Sequence, residues 1–257
     1  MYKIQERECM KRHALLIGYS GWDIKGKEPL KGVSLDLQNY KDFLMSPNGG
    51  GWYENEITIL QDKSLLDIEI ALLLRKREAN DIVFTVFSGH GDYDDIENYC
   101  RRFEVSKNET ILEKNLLGLS KKQILICDSC SGLRSKEIIT ESKNAIENSI
   151  NEDAYLIKIA REKYEKLCLS CSEQTLRFYA AEVGTFAEDT SKGGRYSNAL
   201  LDTLKYIPTE TNIFQAHNIA AKRVRQESME QQRPDYSVPK IHDFLPGSIA
   251  IDTRIYT

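Results

Sequence analysis

Two short segments of the sequence combine a side chain capable of proton transfer or nucleophilic attack with small neighbouring residues. His90 lies between two glycines in Ser-Gly-His-Gly (88–91), and Cys130 lies in Asp-Ser-Cys-Ser-Gly (128–132). A cysteine attacks a carbonyl carbon as its thiolate, and a histidine can move the protons that such a reaction requires. Glycine neighbours let a substrate approach backbone N–H groups, which can hold the negative oxygen formed in acyl transfer. The two segments therefore predict a cysteine nucleophile with a histidine partner.

Each of these segments directly follows an apolar run. Ile82 to Phe87 and Gln123 to Cys127 do not alternate polar with apolar residues, which is typical of strands buried on both faces. Similar runs predict strands at His13 to Ile17, Glu56 to Leu60 and Lys166 to Ser170. Helical spacing predicts helices over Gly32 to Met45, Ser64 to Lys76, Ala145 to Leu167, Tyr196 to Lys205 and Asn212 to Glu230. Strands alternating with helices predict a parallel sheet covered on both sides, with His90 and Cys130 at its carboxyl edge, where ligands bind.

Composition narrows the class of protein. The chain has 257 residues, of which 41% are apolar, so one compact domain with a substantial core is expected. The net charge of −4 and the lack of a long Lys or Arg block argue against a nucleic-acid partner. No apolar run approaches the roughly 18 residues that span a bilayer, so we expect no membrane association and a cytoplasmic location. The six cysteines would then be reduced thiols.

The segments around His90 and Cys130 resemble the two catalytic motifs of the caspase, metacaspase and paracaspase peptidases, in the same order. Other stretches resemble the family's first strand, its first helix, the strand after the catalytic cysteine, and the turn and helix of its small subunit: His13 to Tyr19, Gly32 to Leu44, Lys166 to Gln174 and Gly193 to Leu200. The resemblance spans residues 12 to 240. It implies an α/β three-layer sandwich of the caspase-hemoglobinase type, with a mostly parallel sheet of about six strands flanked by helices. It also implies one domain over residues 1–257, divided into a part like the large subunit (12–132), a loop and helix (133–165) and a part like the small subunit (166–251).

For the reaction, the resemblance implies a cysteine endopeptidase that acts on proteins or peptides. Cys130 would be the nucleophile and His90 the acid and base, without a third catalytic residue, a cofactor or a metal. The backbone N–H groups of Gly91 and Cys130 would bind the oxyanion. The motif Cys-Ser-Gly (130–132) is one residue shorter than its metacaspase counterpart and closer to that of caspases.

For specificity, the resemblance implies cleavage after Arg or Lys. Metacaspases have an acid two residues before the nucleophile that helps bind a basic side chain, and Asp128 stands at that place. Ser88 would line the same pocket, and Glu173 is a further candidate for pocket charge. A buried carboxylate stabilises a guanidinium or ammonium group and repels a substrate Asp. The spacing of Asp92, Asp94, Asp95 and Glu97 does not fit calcium ligands, so these four acids are predicted to form an exposed loop.

Two alternatives from other classes remain open at this point. The pairs Cys127-x-x-Cys130 and Cys168-x-x-Cys171 together have the pattern of a structural zinc site, although Cys127 and Cys168 both fall in apolar runs. A catalytically silent scaffold could keep the same fold and only bind partners. Self-cleavage in the polar loop after the nucleophile, at Arg134, Lys136 or Lys143, is a further hypothesis, and the sequence leaves open an activating protein partner.

Overall fold

A computed structural model describes residues 10–24, 29–97, 99–132, 154–207 and 209–250. The strands, in chain order, are β1 (Arg12–Tyr19), β2 (Ile57–Gln61), β3 (Ile82–Gly89), β4 (Gly91–Asp94), β5 (Cys100–Ser106), β6 (Glu109–Leu112), β7 (Lys122–Asp128), β8 (Gln174–Tyr179), β9 (Asp189–Thr190), β10 (Gly193–Gly194), β11 (Thr211–Asn212), β12 (Asp235–Ser237) and β13 (Pro246–Ser248). The α-helices are α1 (Gly32–Met45), α2 (Leu65–Arg77), α3 (Ala154–Ser170), α4 (Arg195–Tyr206) and α5 (Ile213–Glu227).

Six strands form the central sheet in the order β12-β8-β7-β3-β1-β2. All neighbours are parallel except β12, which runs antiparallel to β8. Every residue of β1 and β3 is buried, as expected for strands covered on both faces. The predicted mostly parallel sheet of about six strands, flanked by helices, is confirmed.

The sheet separates two apolar cores. Alternate residues of its central strands face opposite sides, so Val86 and Ile126 belong to one core and Phe87 and Leu125 to the other. Residues of α1, α3, α4 and α5 cover the first face. Residues of α2 and of the small antiparallel sheet β4-β5-β6 cover the second. None of the helices in the described ranges has the length and hydropathy needed to cross a lipid bilayer.

Several helix starts agree with the sequence patterns, and capping side chains mark two of them. The helix α1 has the predicted bounds, and α2 begins after Ser64, whose hydroxyl accepts a hydrogen bond from the Asp67 backbone at 3.2 Å. Asn212 caps α5 in the same way by accepting a bond from the Gln215 backbone. Side-chain caps are local signals, and a sequence pattern can therefore place them.

The strand predicted over Lys166 to Ser170 is wrong. The helix α3 continues to Ser170, and the strand that follows Cys130 in the sheet begins only at Gln174. Tyr164 and Cys168 are buried one turn apart while Leu169 is 51% exposed, as on one face of a helix. A short apolar run does not by itself distinguish a strand from a helix. The part of the predicted helix before Ala154 lies outside the described residues.

Candidate active site

The predicted reactive residues follow two neighbouring strands. In the parallel pair β3 and β7, Ser88 lies opposite Asp128. His90 and Cys130 each come two residues after this pair, so both follow the sheet at the same level. The two loops touch, because a Cβ atom on Gly91 would lie 3.0 Å from the Ser129 Oγ. The structure thus brings the two segments together at the carboxyl edge of the sheet.

The step from β3 to His90 requires a glycine. A Cβ atom at Gly89 would lie 2.8 Å from the carbonyl oxygen of Tyr19 at the end of the neighbouring strand β1. Real Cβ atoms do not approach backbone oxygen so closely, and Gly89 also has φ 154°. The glycine before His90 therefore lets the backbone turn out of a fully buried strand and present the imidazole at the sheet edge.

The thiol of Cys130 lies against a second segment of backbone. Its Sγ is 3.4 Å from the Ala187 nitrogen and 3.5 Å from the Ala187 oxygen, and Cys130 is half-buried. The next residue, Ser131, donates its N–H to Thr185 O at 3.0 Å and accepts a bond from Gly184 N at 2.7 Å. Residues 184–187 therefore form one wall of the site, and they present backbone donors and acceptors beside the sulfur.

Three carboxylates lie together next to these strand ends. Asp36 of α1 accepts hydrogen bonds from Ser88 Oγ at 2.7 Å and from Gly194 N at 2.9 Å. Asp128 accepts one from Ser197 N at 2.8 Å, and Asp189 accepts one from Gly32 N at 3.2 Å. We call Asp36, Asp128 and Asp189 the carboxylate cluster.

Glycines make the room that this cluster occupies. A Cβ atom at Gly193 would lie 2.2 Å from Asp36 Oδ1, and one at Gly194 would lie 2.2 Å from Asp128 Oδ2. Gly193 also has φ 111°, a backbone conformation that side chains other than glycine rarely adopt. The Gly193-Gly194 turn therefore lets the chain pass directly over the two buried carboxylates.

The cluster lacks a cation among the residues that the structure describes. Asp36 and Asp128 are 1% and 5% exposed. Burial, together with the charge of Asp128, holds the pKa of Asp36 well above its usual range. Burial and the nearby Asp189 raise the pKa of Asp128 to about 6, and burial also raises the pKa of Asp189. Ionising all three carboxylates together is therefore unfavourable unless an incoming cation balances them, and without one they tend to take up protons.

A scan against protein families matches residues 11–245 to the caspase domain. The chain belongs to this family. It is a family of proteases, whose substrates are peptides or proteins. A search of curated proteins finds no match.

Solved structures show that this caspase domain has the fold of its family. The crystal structure of caspase-1 from Spodoptera frugiperda matches with a TM-score of 0.59 at 15% identity, over 94% of this chain and 89% of that one. A structure of a protein from Geobacter sulfurreducens matches with a TM-score of 0.58 at 15% identity, over 92% of this chain and 97% of that one.

Of the residues proposed for the specificity pocket of this caspase domain, two lie at the carboxylate cluster and one does not. Asp128 belongs to the cluster, and Ser88 donates a hydrogen bond to it through Asp36. The suggestion for Glu173 is wrong, because Glu173 precedes β8 at the opposite, amino-terminal edge of the sheet. There it pairs with Lys121 at 2.5 Å and is 62% exposed at its side chain.

Asp36 and Asp189 are the members of the cluster that the sequence patterns did not reveal. A signal for Asp36 was present, because it shares the buried face of α1 with Val33, Leu37 and Tyr40. Burying an acid on the apolar face of a helix costs folding free energy unless the carboxylate is hydrogen-bonded or paired, so such an acid indicates a specific set of partners. Asp189 has no such signal, since it begins the two-residue strand β9 and joins the cluster only through the tertiary fold.

The acids after His90 form an exposed loop only in part. Asp92 and Asp94 lie in β4, and Asp92 accepts two hydrogen bonds from Arg102 of β5, at 2.6 and 3.1 Å. Asp94 is buried and accepts bonds from two backbone N–H groups of the turn that follows. The sequence pattern missed this antiparallel hairpin because charged residues alternate along it.

The zinc-site alternative is incompatible with the positions of the cysteines. Cys127 belongs to the core on one face of the sheet and Cys168 to the core on the other. A tetrahedral zinc site needs all four sulfurs within about 2.3 Å of one point. The two pairs therefore cannot share a metal. In addition, no group of three or more His, Cys, Asp or Glu side chains in the described part of the chain is arranged to hold a metal ion.

Proposed function

We propose that this protein is a cysteine endopeptidase that cleaves after Arg or Lys, with Cys130 as nucleophile and His90 as acid and base. The carboxylate cluster carries the proposal, because it places buried negative charge without a cation beside the two strand ends. A basic substrate side chain would supply the missing charge. The neighbouring thiol would then lie beside the peptide bond to be cut.

The reaction proceeds by acyl transfer. The Cys130 thiolate attacks the carbonyl carbon and forms a C–S bond, and His90 protonates the departing amine as the C–N bond breaks. His90 then takes a proton from the water that hydrolyses the thioester and releases Cys130. Backbone N–H groups of Gly91 and Cys130 stabilise the oxyanion, and the contact between Gly91 and Ser129 supports their closeness. The Ala187 oxygen, 3.5 Å from Sγ, is an acceptor for a substrate amide.

The pocket discriminates by charge. Each carboxylate of the cluster is held by N–H or O–H donors from the protein, so the oxygens are oriented before a substrate arrives. A guanidinium or ammonium group would offset both the burial and the repulsion by Asp128 that raise the pKa of Asp36. A substrate Asp would add a further negative charge to the pocket and is excluded.

The first experiment is hydrolysis of three fluorogenic peptides that differ only in a final Arg, Lys or Asp. We expect the wild type to cleave the Arg and Lys peptides and Cys130→Ala to cleave none. Cys171→Ala is the matched control, since Cys171 is another half-buried cysteine but lies beyond the end of α3 at the opposite edge of the sheet. Cleavage after Asp would overturn the pocket assignment, and turnover by Cys130→Ala would overturn the nucleophile.

A chloromethyl ketone ending in Arg separates a latent enzyme from a silent scaffold. Alkylation of the wild type but not of Cys130→Ala, seen as a mass increase, indicates an activated thiol even if no peptide is hydrolysed. A wild type that resists both labelling and hydrolysis would contradict the peptidase proposal and favour a binding role.

Self-processing remains a prediction. Arg134, Lys136 and Lys143 lie outside the described residues, and they follow directly on the loop that carries Cys130. Their side chains match the charge that the pocket requires. Intact mass measurement of the wild type and of Cys130→Ala tests the prediction, because only the wild type is expected to be cut after one of the three. A fully active preparation with an intact chain would show that processing is not required.

A further inference from the structure

The hairpin formed by β4 and β5 contacts both loops of the site. His90 directly precedes β4, and its carbonyl oxygen accepts a hydrogen bond from Glu104 N of β5 at 3.0 Å. At the other end of β4, Tyr93 N donates to Gly132 O at 3.1 Å. The hairpin thus bonds to the backbone at His90, which directly precedes it, and to the backbone at Gly132, two residues after Cys130.

The side chain of Arg101 joins this hairpin to the Cys130 loop. It lies opposite Tyr93 in the hairpin register and is 6% exposed. Its Nε donates to Ser131 Oγ at 3.1 Å, and its Nη2 donates to Ala181 O at 3.0 Å. The guanidinium stacks over the Tyr179 ring at 3.4 Å and lies 3.7 Å from a carboxylate oxygen of Asp235. Aromatic stacking and a planar fork of donors restrict its orientation.

The bond from Arg101 to Ser131 affects more than one side chain. Ser131 is 1% exposed and follows Cys130 directly, and its backbone is paired with Thr185 and Gly184. Those residues lead into Ala187, whose backbone contacts the Cys130 sulfur. A shift of Ser131 would therefore move both the nucleophile and the wall beside it relative to His90.

We propose that Arg101 is a positioning residue that fixes Ser131, and through it the Cys130 loop, against the hairpin that begins at His90. This role rests on the proposed peptidase function, but it concerns a residue outside the nucleophile, its acid–base partner and the carboxylate cluster. A displacement of about 1 Å between reacting groups can cost about 100-fold in rate. Arg101 therefore acts on the chemical step rather than on recognition of the basic side chain.

Arg161→Met is a matched control for Arg101→Met. Arg161 also stacks over a tyrosine, Tyr53, at 3.9 Å, and donates to a backbone carbonyl, Gly51 O, and to a carboxylate, Glu56. It lies at the amino-terminal edge of the sheet, away from Cys130. Both variants remove a stacked guanidinium with similar bonds, so a general loss of stability affects both.

For turnover of an Arg peptide, each enzyme is first titrated for reactive Cys130, so that kcat refers to folded protein. We expect Arg101→Met to lower kcat by about 10- to 100-fold, with KM changed by less than about threefold, because the carboxylate cluster is intact. Arg161→Met is expected to keep the kcat of the wild type. Ser131→Ala, which removes only one oxygen, should lower kcat in the same direction, and adding Arg101→Met to it should cost little more.

Amide hydrogen exchange provides a measurement that does not depend on turnover. We expect the N–H groups of Ser131 and Gly184 to exchange faster in Arg101→Met and in Ser131→Ala than in the wild type or Arg161→Met. Unchanged exchange together with unchanged kcat in both Arg101→Met and Ser131→Ala would overturn the positioning role. If the wild type hydrolyses no peptide and resists the chloromethyl ketone, the peptidase proposal fails, while exchange still decides whether Arg101 holds the loop.

Discussion

Two buried groups of charges lie at opposite ends of the same sheet, and they differ in whether their charge is balanced. At the amino-terminal end, Glu56 lies 3.5 Å from Arg12 and accepts two hydrogen bonds from Arg161. Arg12 also stacks against Trp52 and Tyr164 and donates to a backbone carbonyl. At the carboxyl end, the cluster of Asp36, Asp128 and Asp189 has only neutral donors among the described residues.

The pKa values of Glu56 and Asp128 are shifted in opposite directions, in line with this difference in charge balance. Burial works against the ionised form of Glu56, but the bonds from Arg161 and Tyr53 and the charge of Arg12 lower its pKa overall. Burial raises the pKa of Asp128 instead, because no cation in the described part of the chain compensates it. Charge balanced within the fold stabilises structure, whereas unbalanced charge at a sheet edge indicates a site for a ligand of opposite sign.

The largest expected effect follows from neutralising one carboxylate of the cluster. Asp128→Asn keeps the shape of the side chain but removes a charge that would face the substrate cation. Losing one partner of a buried charge pair costs about 2–5 kcal/mol, so we expect kcat/KM for Arg peptides to fall at least about 30-fold. Glu113→Gln is the control, since Glu113 is a buried carboxylate outside the cluster that pairs with Arg177 at 3.1 Å. Equal losses in the two variants would contradict a role in the pocket.

The second prediction concerns the charge-balanced group of Glu56, Arg12 and Arg161. Glu56→Gln leaves Arg12 and Arg161 without their counter-charge, and we expect the free energy of unfolding to fall by on the order of 3 kcal/mol. Because the pKa of Glu56 is lowered in the folded protein, the wild type loses this advantage as the pH falls below the usual glutamate range. Urea unfolding measures the free energy of unfolding of Glu56→Gln. The control is Glu54→Gln, which alters an exposed ion pair with Lys41. Similar free energies of unfolding for Glu56→Gln and Glu54→Gln would contradict the stabilising role of the buried, balanced charges around Glu56.

The third prediction is a substitution that raises the free energy of unfolding, whereas Glu56→Gln lowers it. The folded protein holds the Asp128 proton up to about pH 6, compared with an ordinary value of 3.8, so its stability falls as the pH rises through that window. Asn at this position can still accept the bond from Ser197 N and carries no charge. We therefore expect Asp128→Asn to stabilise the substrate-free protein by on the order of 1–2 kcal/mol near pH 8, with the gain vanishing near pH 4. Lower stability of the variant near pH 8 would contradict unbalanced charge in the cluster.

The smallest effect concerns the pH dependence of turnover. A proton on Asp128 competes with the substrate cation, so kcat/KM for an Arg peptide should rise with pH through about 6. A peptide ending in citrulline has the same shape without the charge and should lack this rise. We expect the ratio of the two rates to increase by up to about tenfold per pH unit below that value. A ratio independent of pH would show that the cluster does not titrate in the free enzyme.

Sequence patterns predicted most of the fold and the two strand ends at which the candidate residues lie. The buried strands before His90 and Cys130 lack alternation, and their order with the intervening helices indicated a parallel sheet whose carboxyl ends meet. The patterns failed where local signals are ambiguous. The end of α3 was assigned to a strand because a short apolar run fits both structures, and the charged hairpin β4-β5 was not predicted.

The sequence by itself determined which residues can do chemistry, because reactive side chains beside glycines at strand ends form a local pattern that folding preserves. Only the tertiary structure decided which distant residues join them. Asp36 on α1, Asp189 on β9 and Arg101 on β5 reach the site through packing around the sheet. Their spacing along the chain carries no such information, since long-range contacts depend on how the layers pack.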